Sequence, residues 1–419
     1  MEIFLLVALG IMMLAFRKTG LGDYFSPWMI TCEIWFVMMF MTQFQGDLLY
    51  PMNNQFFYSL MLWVPIFCIS SIITYSVLPA RKGTDRNGHL RAMSVNKTLF
   101  DIFFVIAVFI TPMQLYMVMK LVSMFDSQNM LENIRLLAVY GDNDFGFLNY
   151  AHVINQVLFV IALWNYPKTK GWKVAVLVVT NLLSCFSMME KSGIFFMILS
   201  SMFVLFKKKI IRVRTIVTVI FCIVIFFFLF NNVMAGAYDD TGNGEKGMEF
   251  LDFFACYVLS PPVAFGMIQP ELEGQFGSHT FQYIYFFLDR WGWGNYAVYE
   301  RIQDYVLVPI PTNVYTIFQP FFEDFEYRGI AFFAFVYGTL SGLVYRYFIN
   351  GSSVGRCIYA LVVEILVLQF YSESFIQNIV LSLQFVFFVI LITQEKYSLD
   401  FSEFFKKSRI DVRSINKTS

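Results

Sequence analysis

Charge is scarce in this sequence. Asp, Glu, Lys and Arg make up 14% of its 419 residues, against about 25% in an ordinary soluble protein. Thirty basic residues balance thirty acidic ones, so the basic excess of a nucleic-acid binder is missing. Six cysteines, Cys32, Cys68, Cys185, Cys222, Cys256 and Cys357, are scattered without a CxxC pair. They read as small buried hydrophobes, which excludes a disulfide scaffold or a redox pair. The three histidines, His89, His152 and His279, lie too far apart for metal-ligand spacing, and no metal site is expected. No phosphate-binding glycine loop or dinucleotide fingerprint occurs, so no cofactor is expected either.

Apolar residues fill the space that charge leaves. Hydrophobic side chains account for 58% of the chain and the mean hydropathy is +0.61. That is more than soluble cores can bury, and it excludes disorder. The chain reads as an all-α polytopic membrane protein. Eleven apolar runs approach the length that crosses a hydrocarbon layer of roughly 30 Å. They fall at about 2–16, 25–45, 56–78, 98–123, 148–165, 172–188, 193–206, 214–231, 329–347, 355–372 and 376–393. Arg17 and Lys18 follow the first run, the reverse of the charge order in a cleavable signal, so that run is kept as the first membrane helix.

The basic residues sort the connections. Clusters at 17–18, 81–97, 168–173, 207–214, 346–356 and in the tail hold 23 of the 30 Lys and Arg. Threading eleven spans in order puts them all on one side. Short basic loops stay in the cytoplasm, so the N-terminus is expected outside and the C-terminus inside. The expected division is 1–231 with spans one to eight, 232–328 as a large periplasmic loop with re-entrant or interfacial helices, 329–393 with spans nine to eleven, and 394–419 as a basic cytoplasmic tail.

A loop of such length without function is uncommon. Its segment MEFLDFFACYVLSPPVAFGMI is expected to be a re-entrant or interfacial helix ended by Pro261 and Pro262. Arg290 and Arg301 stand out where basic residues are few. Each suits a phosphate held bidentately or a salt bridge with Asp289, Glu300 or Asp304. His279 suits a general base or a structural role. Glu323, Asp324 and Glu326 suit proton acceptance from a hydroxyl or pairing with Arg328. Tyr285, Trp291, Trp293, Tyr296 and Tyr299 suit sugar faces or a membrane-interface belt. Lys191 sits in an outward turn and suits an anionic headgroup or a solvated surface.

From the sixth span onward the order of features resembles the Wzy-type oligosaccharide repeat-unit polymerases, which build O-antigen and related polysaccharides. The blocks are MEKSGIFFMIL, YVLSPPVAFGMI, FGSHTFQYIYFFLDR and PTNVYTIFQPFFEDFEYRGIAFF. Two departures stand out: Arg is more usual than Lys191, and Glu326 with Tyr327 interrupts a commonly shorter D-F-G run. The resemblance implies a GT-C-like fold and transfer from one undecaprenyl-diphosphate-linked oligosaccharide to a sugar hydroxyl on another. It also implies a chain-length regulator and a flippase as partners. Cationic stabilisation of the diphosphate then falls to Arg290, Lys191, Arg328 and Arg301, and the base to His279 or Asp324. Asn313, Tyr315 and Thr316 are candidate hydrogen-bonding contacts. An O-antigen ligase shares this plan, and a lipid-linked oligosaccharide flippase is the alternative from another class, argued against by the large loop and the lack of an internal repeat.

Overall fold

A computed structural model describes residues 1–44, 47–80, 92–124, 133–134, 137, 146–187, 191–235, 250–271, 275–296, 303–309 and 311–393. The opening of the large loop, Arg301 and the basic tail lie outside them. Each of the eleven apolar runs coincides with a helix: α1 (Glu2–Lys18), α2 (Pro27–Met41), α3 (Asn54–Val77), α4 (Lys97–Val122), α5 (Tyr150–Asn165), α6 (Gly171–Ser187), α7 (Lys191–Lys207), α8 (Val213–Ala235), α11 (Gln319–Ile349), α12 (Ser353–Val367) and α13 (Ile379–Thr393). Between the eighth and ninth of these lie α9 (Phe250–Phe265), α10 (Gln282–Arg290) and a minimal antiparallel pair, β1 (Val306–Leu307) and β2 (Pro311–Thr312), in register Val306 to Thr312. Among the described residues, five helical stretches are long and apolar enough to cross a membrane: α3, α4, Gly146–Asn165, α11 and Ser353–Phe370. The chain is an all-α membrane protein apart from that short strand pair.

Local chemistry sets many helix starts. Pro27 opens α2, where its missing N–H costs nothing. Asn53, Asn96 and Ser352 accept the N–H groups of Gln55, Leu99 and Gly355 and cap α3, α4 and α12. One expectation is corrected: Pro261 and Pro262 do not end α9, which continues through them to Phe265. Its final turn is held from outside, because Asn53 donates to the Gly266 carbonyl and Gln55 to those of Phe265 and Ile268. Carbonyls freed near a helix end are tolerated when side chains take them up.

The connections meet at two ends. At one, Lys207 pairs with Asp23 at 2.5 Å, Lys173 with Asp101 at 2.5 Å, and Arg346 donates to the carbonyls of Leu78 and Pro79. Lys208 reaches the carbonyls of Leu163, Trp164 and Tyr166 there. At the other, the Asn53 and Gln55 contacts with α9 are joined by the Tyr50 N–H donating to the Val308 carbonyl at 3.2 Å. These are the basic end and the loop end of the bundle.

Helices α3 and α11 pack backbone against backbone. A Cβ at Gly338 would collide with Ser70 Oγ and the Phe67 carbonyl, and one at Gly342 with the Ser71 carbonyl. Small residues four apart are how membrane helices approach this closely. The contact also places the start of α11. Phe318, just before it, is fully buried among Trp35 of α2, Trp63 of α3 and Phe265 of α9, stacking on Trp35 at 5.2 Å. Within α11, Glu326 has φ 52° and ψ −147°, a backbone state side chains rarely adopt. The helix therefore consists of two pieces, with Phe321 of the first stacked on Phe333 of the second at 4.2 Å. Glu323, Asp324, Glu326 and Arg328 all precede its unbroken apolar part. Replacing Gly342 by Val is expected to lower stability by about 1–3 kcal/mol, read as a fall in melting temperature in detergent, whereas Leu340→Val on the exposed side should leave it nearly unchanged.

Candidate functional site

Beyond Gly266 the chain returns along the loop end, and the Glu271 N–H donates to the Glu323 carbonyl at 2.8 Å. It then turns through 275–281 into α10. That turn is built around one carboxylate. Asp324 Oδ1 accepts from the His279 N–H at 3.1 Å and the Ser278 hydroxyl at 3.4 Å, and Oδ2 accepts from the Thr280 N–H at 2.6 Å. Thr280 in turn donates its hydroxyl to the Pro320 carbonyl at 3.0 Å. Asp324 thus fixes the start of α10 onto the first piece of α11, with both oxygens committed to that turn.

The side chain so positioned is His279, which is 7% exposed. Its Nε2 lies 2.8 Å from Glu271 Oε2 and its Nδ1 lies 3.3 Å from Glu323 Oε2. With Nε2–H donating to Glu271, Nδ1 presents its lone pair to Glu323. Glu323 Oε2 is buried and has no hydrogen-bond partner among the described residues. The neighbouring polar atom on that side is His279 Nδ1, so the tautomer of the imidazole decides whether this oxygen is paired. Burial pushes the Glu323 carboxyl up to about 7, against the opposing pull of His279 and a hydrogen bond from Gln319.

The two adjacent carboxylates of the FEDF stretch have different surroundings: Asp324 is saturated by donors and Glu323 is not. Tyr315 stands nearby, its hydroxyl raised to about 12 by burial and by the negative charges of Glu323 and Asp304, and donating to the Asp304 carbonyl at 2.9 Å. Thr316 is fully buried; its hydroxyl oxygen accepts from the Phe318 N–H at 3.4 Å, in the turn that starts α11. Asn313 is half-buried in the preceding strand exit.

Other expected site residues are not gathered here. Arg290 is exposed at the last position of α10, about 12 Å along the axis from its first residue. Its guanidinium lies back over the Phe286 ring at 6.0 Å, one turn toward the His279 end. Arg328 is exposed just past the kink. Lys191 opens α7, but its side chain and Glu190 lie outside the described residues, as do Arg301, Glu300 and Tyr299. Trp291 and Trp293 form an exposed pair at 5.4 Å beyond Arg290. Glu271 and Gln319 were not singled out from sequence. Glu271 stands eight residues from His279 across a turn, and nothing in its spacing marks it.

No family model matches this chain, and no solved structure does. The chain is similar to an Escherichia coli (strain K12) protein described as "Putative O-antigen polymerase", with 23% identity over 390 residues, covering 89% of this chain and 92% of that one.

Linkage gives this site a measurable signature. The folded chain holds the Glu323 proton more tightly than the unfolded chain, where the carboxyl has its ordinary value of 4.5. Its burial is thus without penalty below about 4.5, and the penalty grows as pH rises toward 7, reaching the order of 3 kcal/mol. Glu323→Gln is expected to lose less stability than the unmutated protein between pH 5 and 8 in denaturation at stepped pH. Asp324→Ala should cost about 1–3 kcal/mol throughout, because three donors lose their acceptor.

Proposed function

We propose that this chain is a membrane glycosyltransferase that polymerises undecaprenyl-diphosphate-linked oligosaccharide repeat units into O-antigen or a related surface polysaccharide. The observation that carries the reading is His279, held between two carboxylates with an unsatisfied acceptor beside it, in a chain similar over most of its length to a protein described as an O-antigen polymerase. In this reading the eleven apolar helices cross the inner membrane of a bacterium. The basic end faces the cytoplasm with the C-terminus, and the loop end faces the periplasm with the N-terminus.

The reaction joins an acceptor hydroxyl oxygen to the anomeric carbon of the donor chain and breaks the bond from that carbon to the diphosphate. His279 Nδ1 takes the hydroxyl proton, Glu271 fixes the ring, and ionised Glu323 stabilises the imidazolium that forms. Asp324 acts by positioning, since its oxygens are committed to the turn that holds His279. Undecaprenyl diphosphate leaves with the bonding electrons, and Arg290 is the cation for its developing charge. The guanidinium folded back toward the His279 end supports that assignment. Lys191, Arg328 and Arg301 supply further positive charge to the diphosphate, and Asn313, Tyr315 and Thr316 shape the sugar pocket. No cofactor is required, because the anomeric diphosphate carries the energy. A chain-length regulator and a flippase are the expected partners.

Surface-polysaccharide electrophoresis tests this. Deleting the gene should replace a ladder of chain lengths by a single repeat unit. His279→Gln and Arg290→Ala, with the protein still present in the membrane, should do the same, with polymer reduced at least about a hundredfold for the base. Normal chain lengths in either variant remove that residue's role, and normal lengths in the deletion strain remove the function.

A further inference from the structure

Three tyrosines from separate parts of the chain meet beside this site. Tyr257 lies on α9, Tyr371 in the connection between α12 and α13, and Tyr305 just before β1. The rings of Tyr257 and Tyr371 are 13° from parallel with centroids 6.2 Å apart, an offset stack. The hydroxyls of Tyr257 and Tyr371 hydrogen-bond, and Tyr305 lies near enough to act electrostatically on Tyr371. Tyr257 is 38% exposed and Tyr305 is 62% exposed.

The patch is held firmly. The connection carrying Tyr371 folds around Glu373, whose carboxylate accepts the N–H groups of Phe375, Ile376 and Gln377 and the Tyr337 hydroxyl. Ahead of it, the Gln369 carbonyl accepts the Ile317 N–H at 3.0 Å. A chain of hydrogen bonds links the patch to the His279 site. Gln319, bonded to Glu323, donates to Gln303 Oε1 at 2.9 Å, and Tyr305 follows two residues later, about 7 Å of chain at most.

We propose that Tyr257, Tyr371 and Tyr305 form a saccharide-binding platform that extends the His279 site and holds a sugar ring of the glycan chain away from the reacting carbon. The proposal rests on the glycosyl-transfer reading of that site. Flat, rigid rings with a hydroxyl at the rim match a pyranose, which offers an apolar C–H face and a polar edge. The three side chains carry no formal charge, so the platform selects a neutral sugar surface rather than the diphosphate. This separates it from the exposed Trp291 and Trp293 pair, whose rings suit a membrane interface.

The test uses the full-length protein in nanodiscs and lipid-free fragments of one to three repeat units, released by mild acid from the host's own surface polysaccharide. Binding is followed by saturation-transfer NMR titration. Tyr257→Ala and Tyr305→Ala are expected to weaken binding about five- to tenfold, and Tyr257→Phe and Tyr305→Phe no more than about twofold, since the ring face remains. In cells, Tyr305→Ala should still form polymer but shift its modal length downward. If the unmutated protein binds no fragment, or binding and chain length are unchanged in both alanine variants, the platform is overturned. That outcome leaves the polymerase reading standing as long as deletion still abolishes the ladder; an intact ladder after deletion overturns the reading itself.

Discussion

Backbone contact between α3 and α11 is the constraint from which the loop end takes its shape. Gly338 and Gly342 let α11 lie against the carbonyls of Phe67 and Ser71, and that fixes where the helix emerges. Only then can Phe318 and Phe321 reach the indoles of Trp35 and Trp63. Membrane helices gain little from burying apolar surface against each other rather than against lipid, so close van der Waals fit and stacked rings carry the association. The strained Glu326 is where the two demands meet. The span must follow α3, while the seven residues before the kink must fold back onto it, and a residue at φ 52° makes the reversal. Backbone strain of this kind, about 1–3 kcal/mol, persists when surrounding packing over-determines it.

Beside that kink, neighbouring carboxylates divide two tasks. Asp324 receives two backbone N–H groups and a hydroxyl, and so behaves as part of the scaffold. Glu323, one residue earlier on the helix, faces an imidazole and leaves an oxygen unsatisfied. Helical geometry turns successive side chains by about 100°, which is why adjacent residues of the same chemistry enter different surroundings. Environment separates an acid that holds a proton from one that holds a loop.

Much of this arrangement was legible in the sequence. Each of the eleven apolar runs read from hydropathy coincides with a helix, five of them in stretches long and apolar enough to cross a membrane among the described residues, because apolar length is a one-dimensional property. His279 and Asp324 were legible as scarce polar groups in an unusually long loop, and the extra Glu326 and Tyr327 fall at the kink itself. What failed was anything that depends on contact across the chain. Pro261 and Pro262 look like a helix end, yet Asn53 and Gln55, more than two hundred residues away, take up the carbonyls of the last turn. Glu271 has no local signature, because its partner is chosen by the turn that Asp324 builds. Arg290 was grouped with His279 by type of chemistry, but a nine-residue helix separates their backbones.

The described loop residues share the hydrophobic core of the helices. Leu259, Val263, Phe265, Val308, Ile317 and Phe318 belong to the same buried cluster as Trp28, Trp63 and Val363. A separate domain tethered by linkers would move against the bundle, since interdomain contacts default to mobility. A loop sharing the bundle core is instead held in register with the helices. For the glycosyl transfer proposed above, with its lipid-anchored donor, that distinction matters. In that proposal the diphosphate lies at the membrane surface by virtue of its own tail, so the proposed base must be held at fixed depth to meet the sugar attached to it. Packing Phe318 against Phe265 and the indoles of α2 and α3 fixes the start of α11, and Asp324 carries that position to His279.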